Sequence, residues 1–378
     1  MRVAFIRNLH EEQNLSMKLT ADRLRSALTA RTEILDVRPA WPSWLNTSRT
    51  VGNAAGYVSR YALYPRCAAK IRADVYHIVD HAYAHMARVL PPERTICHCH
   101  DLMLLRLKRG GFGDHRVPKI ATKFFEYSVS KLRDVAAVIA VSEATKRDVV
   151  EMLGVDPERV DVVYPPLDPN YRPLPASVDR DVLRRDLGMG ERPALLHVGG
   201  NWFYKNVEGL LRAFAVILEH TDVKPVLVKL GATLSREQRD LAASLGVLPH
   251  IVETGPVSDQ QLQRYYLACD ALIFPSLWEG FGWPVVEAMA SGLPVVCGSA
   301  GALAEAAGGA AELVDANSAD DIARGILHVL KNPSYRHELV LRGFVNARRF
   351  DAQKCADRIF EVYCRVLDGN RREAICAD

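Results

Sequence analysis

The sequence predicts an α/β protein of two Rossmann-like domains facing a cleft, and three observations carry that prediction. Short apolar runs recur in two series, each run separated from the next by a stretch of helical period, which is the pattern of βαβ units and a parallel sheet. Between the two series lies YPPLDPNYRPLP, residues 164–175, too rich in proline for a helix or a central strand. The chain has 378 residues, beyond the usual reach of a single hydrophobic core. The domains are therefore set at 1–170 and 171–354, with a helix over about 355–378 closing the chain.

The elements follow in order. Val3 to Ile6 reads as the first strand, Leu15 to Leu28 as an amphipathic helix and Glu33 to Val37 as the second strand. Val75 to Val79, Thr95 to Cys99 and Val135 to Val141 continue the first series. Ser142 stands where an N-cap would, followed by the helical EATKRDVVEML. The second series begins at Ala194 to Val198 and continues through Pro225 to Leu230, a strand about Val252, Ala271 to Pro275 and LPVVC. From Phe350 the period of DAQKCADRIFEVYCRVL is helical. No internal repeat or low-complexity segment is present.

Composition narrows the class of protein. No apolar run approaches the ~20 residues that span a bilayer, and the opening MRVAFIRNL, broken by arginines, lacks a signal-peptide pattern. A cytoplasmic protein is expected. Eight cysteines are scattered without framework spacing, so reduced thiols are expected over disulfides. The net charge of +3 is unevenly shared: residues 1–170 hold 25 Lys and Arg against 19 Asp and Glu, the remainder 23 against 26. Within the basic half, Arg106, Lys108, Arg109, Arg116, Lys119, Lys123, Lys131 and Arg133 face only Asp114 and Glu126. Such a segment suits either a solvated helix face or peripheral contact with an anionic membrane. No motif accompanies it that would support a nucleic-acid partner.

Three segments bear chemistry. EGFGWPVVE, residues 279–287, places Glu279 in a glycine-flexed loop at the carboxyl end of a strand and Glu287 about one turn into the next helix, where parallel α/β proteins gather ligands. Taken singly, Glu279 also fits a solvated loop and Glu287 a complement to the helix dipole. LLHVGGNWFYKNVEGLL sets Gly199 and Gly200, then Lys205 and Asn206, between a strand and a helix. Glycines admit a close backbone approach, the helix start offers unpaired N–H groups, and a lysine supplies a cation for phosphate. In TICHCHDL, His98 and His100 share one face of a strand and Cys97 and Cys99 the other. Ligands on opposite faces cannot close one tetrahedral metal site, so no metal is assigned.

The stretch PSLWEGFGWPVVEAMASGLPVV resembles the signature of the family 4 retaining, nucleotide-sugar-dependent glycosyltransferases. That resemblance implies the GT-B architecture, in which the last helix returns to pack on the first domain. It implies a nucleoside-diphosphate sugar as donor and no obligatory metal or other cofactor. It also implies roles: Glu279 on the donor sugar, Glu287 on the ribose hydroxyls, Lys205 on the diphosphate, and His100, in the HD position, beside the transferred sugar. The loop Gly280, Phe281, Gly282 and Trp283 would lie on the donor, with the Phe281 and Gly282 amides toward sugar and phosphates. Gly199, Gly200 and Asn206 would line the diphosphate turn. Glu305 falls where the family usually has a glutamate.

Two departures stand out. Many members carry arginine where this chain has Gly200, and glycines follow their first strand where this chain has Arg7, Asn8, Leu9 and His10. The acceptor expected is a glycan or lipid-linked glycan, as many relatives serve bacterial surface-polysaccharide assembly. Competing readings are a nucleotide-sugar epimerase or phosphorylase of similar fold, and a non-catalytic nucleotide-sugar-binding protein.

Overall fold

The computed structural model describes residues 1–8, 15–38, 56–112, 119–175 and 177–377. The chain divides into two compact units, Met1–Pro166 with Asp351–Asp378, and Leu167–Phe350. In the first, β1 (Arg2–Ile6), β2 (Glu33–Val37), β3 (Val75–Ile78), β4 (Thr95–Cys99), β5 (Ala137–Ala140) and β6 (Val160–Val162) form a parallel sheet in the order β2-β1-β3-β4-β5-β6. In the second, β7 (Ala194–Gly199), β8 (Val226–Gly231), β9 (Ile251–Gly255), β10 (Ala271–Phe274), β11 (Val295–Gly298) and β12 (Glu312–Val314) are also all parallel, in the order β12-β11-β10-β7-β8-β9. The α/β class expected from the apolar runs is the class found.

The central strands β3, β4, β5, β10 and β11 are buried along their whole length, and β5, β10 and β11 are apolar throughout, because both of their faces are covered. The edge strands β6 and β12 are three residues long and were not anticipated, since VDV and ELV carry too little apolar sequence to register. The fifth strand is shorter than the Val135 to Val141 run, its first two residues forming the approach to the sheet. Between β6 and the helix Arg180–Asp186, the proline-rich connection contains neither helix nor strand among its described residues. Arg180 and Arg184 both pair with Asp270 at the foot of β10, and Asp270 accepts the Ala194 N–H, which fastens that helix under the second sheet.

The strand alternation of β4 sends Cys97 and Cys99 into the core built on Tyr64, Tyr83 and Leu132, and Ile96 into the opposite core. That opposite core is closed by the last helix, Ala352–Ala377, whose Ile359, Val362 and Tyr363 pack on Val3, Phe5, Val75 and Ile139. Each such buried side chain contributes about 1.5–3 kcal/mol. Arg31–Asp357 and Arg365–Asp161 ion pairs bracket the helix. The cysteines among the described residues are free thiols, five of them buried.

The basic segment is partly neutralised within the fold. Arg106 forms a two-pronged pair with buried Asp148, Lys108 pairs with Glu126 and Lys131 with Asp134. Arg109 and Arg133 donate to the Met152 and Leu153 carbonyls at the end of helix Glu143–Leu153. Cations here meet the negative end of a helix and hold it in place. Arg116 lies outside the described residues, as do Asp114, Leu9 and His10. Lys119 and Lys123 are exposed, beside exposed Ile120.

Five of the buried histidines are held neutral. Burial pushes His77 and His197 down to about 3 and His85 to about 4, and lowers His98 and His100 in the same direction. Depressed folded values mean that the unfolded chain binds more protons once pH falls below the ordinary histidine value of about 6.5. The stability these rings contribute is present above that value and is lost as pH falls through the window down to their folded values, at about 1.4 kcal/mol per pH unit for each ring. Urea midpoints measured between about pH 7 and pH 5 should therefore drop steeply. A midpoint that is flat or rises over that interval would contradict the neutral, buried assignment.

Candidate active site

In the second sheet β7, β8 and β9 progress to one side and β10, β11 and β12 to the other. The order reverses between β7 and β10, and a crevice opens outside the carboxyl ends of those two strands. Lys205 follows β7 and Glu279 follows β10, so each functional side chain comes from one lip of the reversal. The corresponding reversal of the first sheet lies between β1 and β3.

Beyond β7 the chain makes one tight turn, Phe203–Lys205, and then enters the helix Val207–Glu219 through Asn206. Asn206 has φ +56°, the one positive φ of a non-glycine residue among the described residues. Asparagine tolerates that conformation, and here its side chain repays the strain of about 1 kcal/mol. Its amide donates to the Pro275 carbonyl at 3.1 Å and to the Ala316 carbonyl at 2.6 Å. The turn is thereby tied to the chain leaving β10 and to the chain leaving β12. A Cβ at Gly209 would meet Asn206 Oδ1 at 2.5 Å, so the first turn of the helix admits only glycine there.

The loop bearing Glu279 is fixed from two sides. The Leu277 N–H donates to the Tyr204 carbonyl at 2.7 Å, joining it to the lysine turn, and the Ala302 N–H donates to the Glu279 carbonyl at 3.1 Å. The alanine-rich loop after β11 packs so closely that a Cβ at Gly301 would lie 2.8 Å from the Glu279 carbonyl oxygen, and one at Gly282 would lie 2.7 Å from Leu303 Cδ2. Gly282 and Gly301 have φ +104° and +65°. Phe281 turns inward against Trp283 and Phe350, each ring 5.3 Å away, and anchors the loop.

These fastenings bring Lys205 Nζ to 2.7 Å from Glu279 Oε1, with the side chains only 16% and 12% exposed. The ammonium also lies 5.0 Å from the Phe274 ring centroid and 5.5 Å from that of Tyr204. At the 2.7 Å Lys205–Glu279 separation and an effective dielectric near 20, the Coulomb attraction of the pair is about 6 kcal/mol before desolvation. Glu287, in helix Trp283–Ala290, is buried and its Oε2 accepts a hydrogen bond of 3.0 Å from the Tyr266 hydroxyl. Sequence reasoning missed Tyr266, which is carried by a helix of amphipathic pattern with no motif to mark it.

It also missed Lys229, hidden in the apolar run of β8. Lys229 is 1% exposed, and its Nζ donates to the Gly199 carbonyl at 3.2 Å and the Ala232 carbonyl at 2.6 Å. Gly199 and Gly231 cross at the ends of β7 and β8, where a Cβ on Gly231 would lie 2.6 Å from the Gly199 oxygen. Gly200 has room for a side chain, the nearest atom to a Cβ there being Trp202 Cδ1 at 3.5 Å.

His100 belongs to the first unit, at the carboxyl end of β4. Its Nε2 donates to the Val79 carbonyl at 2.9 Å and its backbone N–H to His81 Nδ1 at 3.3 Å. Because that Nε2 carries the hydrogen and burial lowers the ring's affinity for a second proton, the group is a neutral, fixed donor. Asp80 and His81, after β3, join this cluster, and Asn8 donates to Asp80 at 2.6 Å. The string YHIVDHAYAH holds them in an apolar run that reads simply as a buried strand.

Residues 179–344 match the family model described as glycosyl transferases group 1, and residues 33–171 match glycosyltransferase family 4. The chain belongs to the family 4 glycosyltransferases. It is 28% identical over 282 residues to the O-antigen chain mannosyltransferase B of Escherichia coli, covering 72% of this chain and 70% of that one. It is 30% identical to a D-inositol 3-phosphate glycosyltransferase of Thermobispora bispora, over 71% of this chain and 64% of that one. The fold is GT-B: the crystal structure of Anabaena HepE with UDP and glucose superposes with a TM-score of 0.77 at 18% identity, over 97% of this chain and all of that chain. WaaG, a glycosyltransferase involved in lipopolysaccharide biosynthesis, does so with a TM-score of 0.71 at 17% identity, over 96% of this chain and 99% of that one.

The Asn206 tie in this glycosyltransferase makes a direct prediction. Asn206→Ala leaves two carbonyls without a donor and puts alanine at positive φ, for a loss of about 2–4 kcal/mol. Asn206→Gly removes the hydrogen bonds but not the conformational freedom and should lose about half as much. Urea denaturation of both variants checks the order, and equal losses would remove backbone strain from the account.

Proposed function

We propose that this glycosyltransferase moves a sugar, with retention of anomeric configuration, from a nucleoside-diphosphate sugar to a hydroxyl of a glycan or lipid-linked glycan. The observation that carries this reading is the Lys205–Glu279 pair at the β7/β10 reversal. A cation and a carboxylate held within one hydrogen bond match the two charges that sugar transfer develops. Departure of the nucleoside diphosphate builds negative charge on its β-phosphate, for which Lys205 is an already oriented counter-charge. The sugar becomes oxocarbenium-like, and Glu279 stabilises it. The acceptor hydroxyl attacks from the face the diphosphate leaves, its proton passing to the departing phosphate oxygen. Glu287, held by Tyr266, binds the nucleoside ribose, and neutral His100, its Nε2–H fixed on the Val79 carbonyl and its Nδ1 left as an acceptor, orients a hydroxyl of sugar or acceptor. Gly199, Gly200 and the loop 280–283 frame the diphosphate.

The relatives support the donor and acceptor classes. HepE was crystallised with UDP and glucose, the Escherichia coli relative is a mannosyltransferase of O-antigen chains, and WaaG serves lipopolysaccharide biosynthesis. No helix among the described residues is long and apolar enough to cross a membrane. A cytoplasmic enzyme touching the inner membrane surface through Lys119, Ile120 and Lys123 fits a lipid-linked acceptor, each lysine contributing on the order of 1 kcal/mol. An epimerase or phosphorylase would release no nucleoside diphosphate in proportion to acceptor, and a binding protein would release none. Incubation with a panel of nucleotide sugars and candidate acceptors separates these readings.

Lys205→Ala should lower kcat/KM by about 10²–10³, the loss expected for one donor to a developing oxyanion. Glu279→Gln should depress kcat more than nucleotide affinity, whereas Glu287→Gln should weaken free-nucleotide binding with the smaller effect on kcat. Equal effects of the two glutamate changes on nucleotide binding would show the roles wrongly divided. With Lys205 as the counter-charge, activity should persist in chelator. Complete loss restored by magnesium or manganese would overturn metal independence.

A further inference from the structure

Lys229 is a lysine buried where a parallel strand normally carries an aliphatic side chain. Its aligned neighbours in the sheet are His197 on β7 and Glu253 on β9. His197 is fully buried and neutral, its Nδ1 bonded to the Ile273 carbonyl at 3.1 Å. Glu253 is engaged elsewhere, accepting the Leu234 N–H at 2.5 Å and pairing with Arg239. Neither neighbour forms an ion pair with Lys229. A buried ammonium so weakly compensated is costly, and the backbone carbonyls it holds are the reason it is there.

One of those carbonyls belongs to Gly199, which also accepts the Ala232 N–H at 3.2 Å. Both donors come from the β8 side, so the Gly199 oxygen points toward β8. The Gly199–Gly200 peptide is trans, and in a planar trans peptide C=O and N–H point in opposite directions. The Gly200 N–H is therefore turned toward the other neighbour of β7, which is β10, and hence toward the crevice that holds Lys205 and Glu279.

We propose that Lys229 is a positioning residue for the donor diphosphate: it locks the Gly199 carbonyl toward β8, presents the Gly200 N–H at the β7/β10 crevice, and adds a positive charge behind the turn. The inference rests on the donor-site reading given above. Burial brings Lys229 down to about 8, opposed only by Glu253. A bound diphosphate favours the ammonium and raises that value again, so binding near pH 8 draws a proton from solution.

The test is calorimetric titration with UDP, GDP, ADP, CDP and dTDP, near pH 7 and near pH 8, in buffers of different ionisation enthalpy. The unmodified protein should take up a fraction of a proton on binding near pH 8 and almost none near pH 7. Lys229→Met should bind about tenfold more weakly near pH 7 and show no uptake at either pH. Lys229→Arg should keep the affinity and lose the pH dependence. Absence of proton uptake by the unmodified protein overturns the proposal even if a variant fails to fold. Lys229→Met binding like the unmodified protein while Lys205→Ala does not would remove Lys229 and leave the donor site standing. If the unmodified protein binds none of the five nucleotides, the donor-site reading fails and this proposal falls with it.

Discussion

Reversal of strand order between β7 and β10 is the constraint on which the candidate site depends, because it is the one place in the second sheet where two adjacent strands send their following loops apart. The crevice so formed is kept to a fixed width by a small set of backbone contacts: Leu277 to Tyr204, Ala302 to Glu279, and the Asn206 amide to Pro275 and Ala316. Four loops are joined through these bonds. Lys205 and Glu279 meet because their loops are joined, and an ion pair between two free loops would hold far less. The glycines at 209, 282 and 301 are the steric complement of the same scheme, standing where a Cβ would collide with the Asn206 side chain, the Leu303 side chain and the Glu279 carbonyl respectively.

Much of this was legible in the sequence, for definite reasons. Continuous apolar runs separated by helical periods betray strands covered on both faces, which is why β1, β3, β4 and β10 were placed closely. The placement of Lys205 after β7 and of Glu279 after β10 was legible because glycines and charges stand together at the ends of apolar runs. The edge strands β6 and β12 escaped because three residues make no pattern. Lys229 and His197 escaped for a different reason. Within VLVKLG and LLHVGG a single polar residue looks like an interruption of a core strand, and only the sheet register shows that the two stand side by side. The charge balance of the basic segment was also hidden, since sequence cannot show that Arg106 is matched to Asp148 forty-two positions away.

A shared economy links the two sheets. Both bury ionisable side chains near the carboxyl ends of central strands: His100, His197 and Lys229 hold backbone carbonyls, while His77 holds the Tyr363 hydroxyl and His98. Such groups lower stability relative to an aliphatic core, and they orient peptide groups in a way no aliphatic residue can.

The allocation of the last helix has a consequence for how the chain comes into being. Leu167–Phe350 is one uninterrupted stretch, closed on itself by the Leu167 N–H to Phe350 carbonyl bond of 2.8 Å, so it can fold as soon as it has emerged from the ribosome. The first sheet cannot be completed so early. Its face of Val3, Phe5, Val75 and Ile139 waits for Ile359 and Tyr363, synthesised after the entire intervening unit, a delay on the order of ten seconds or more at ordinary translation rates. During that interval the first-made half of the protein carries an uncovered apolar face while the later-made half is already finished. The face that the last helix covers is thus the last of the first sheet's surfaces to find its partner in synthesis.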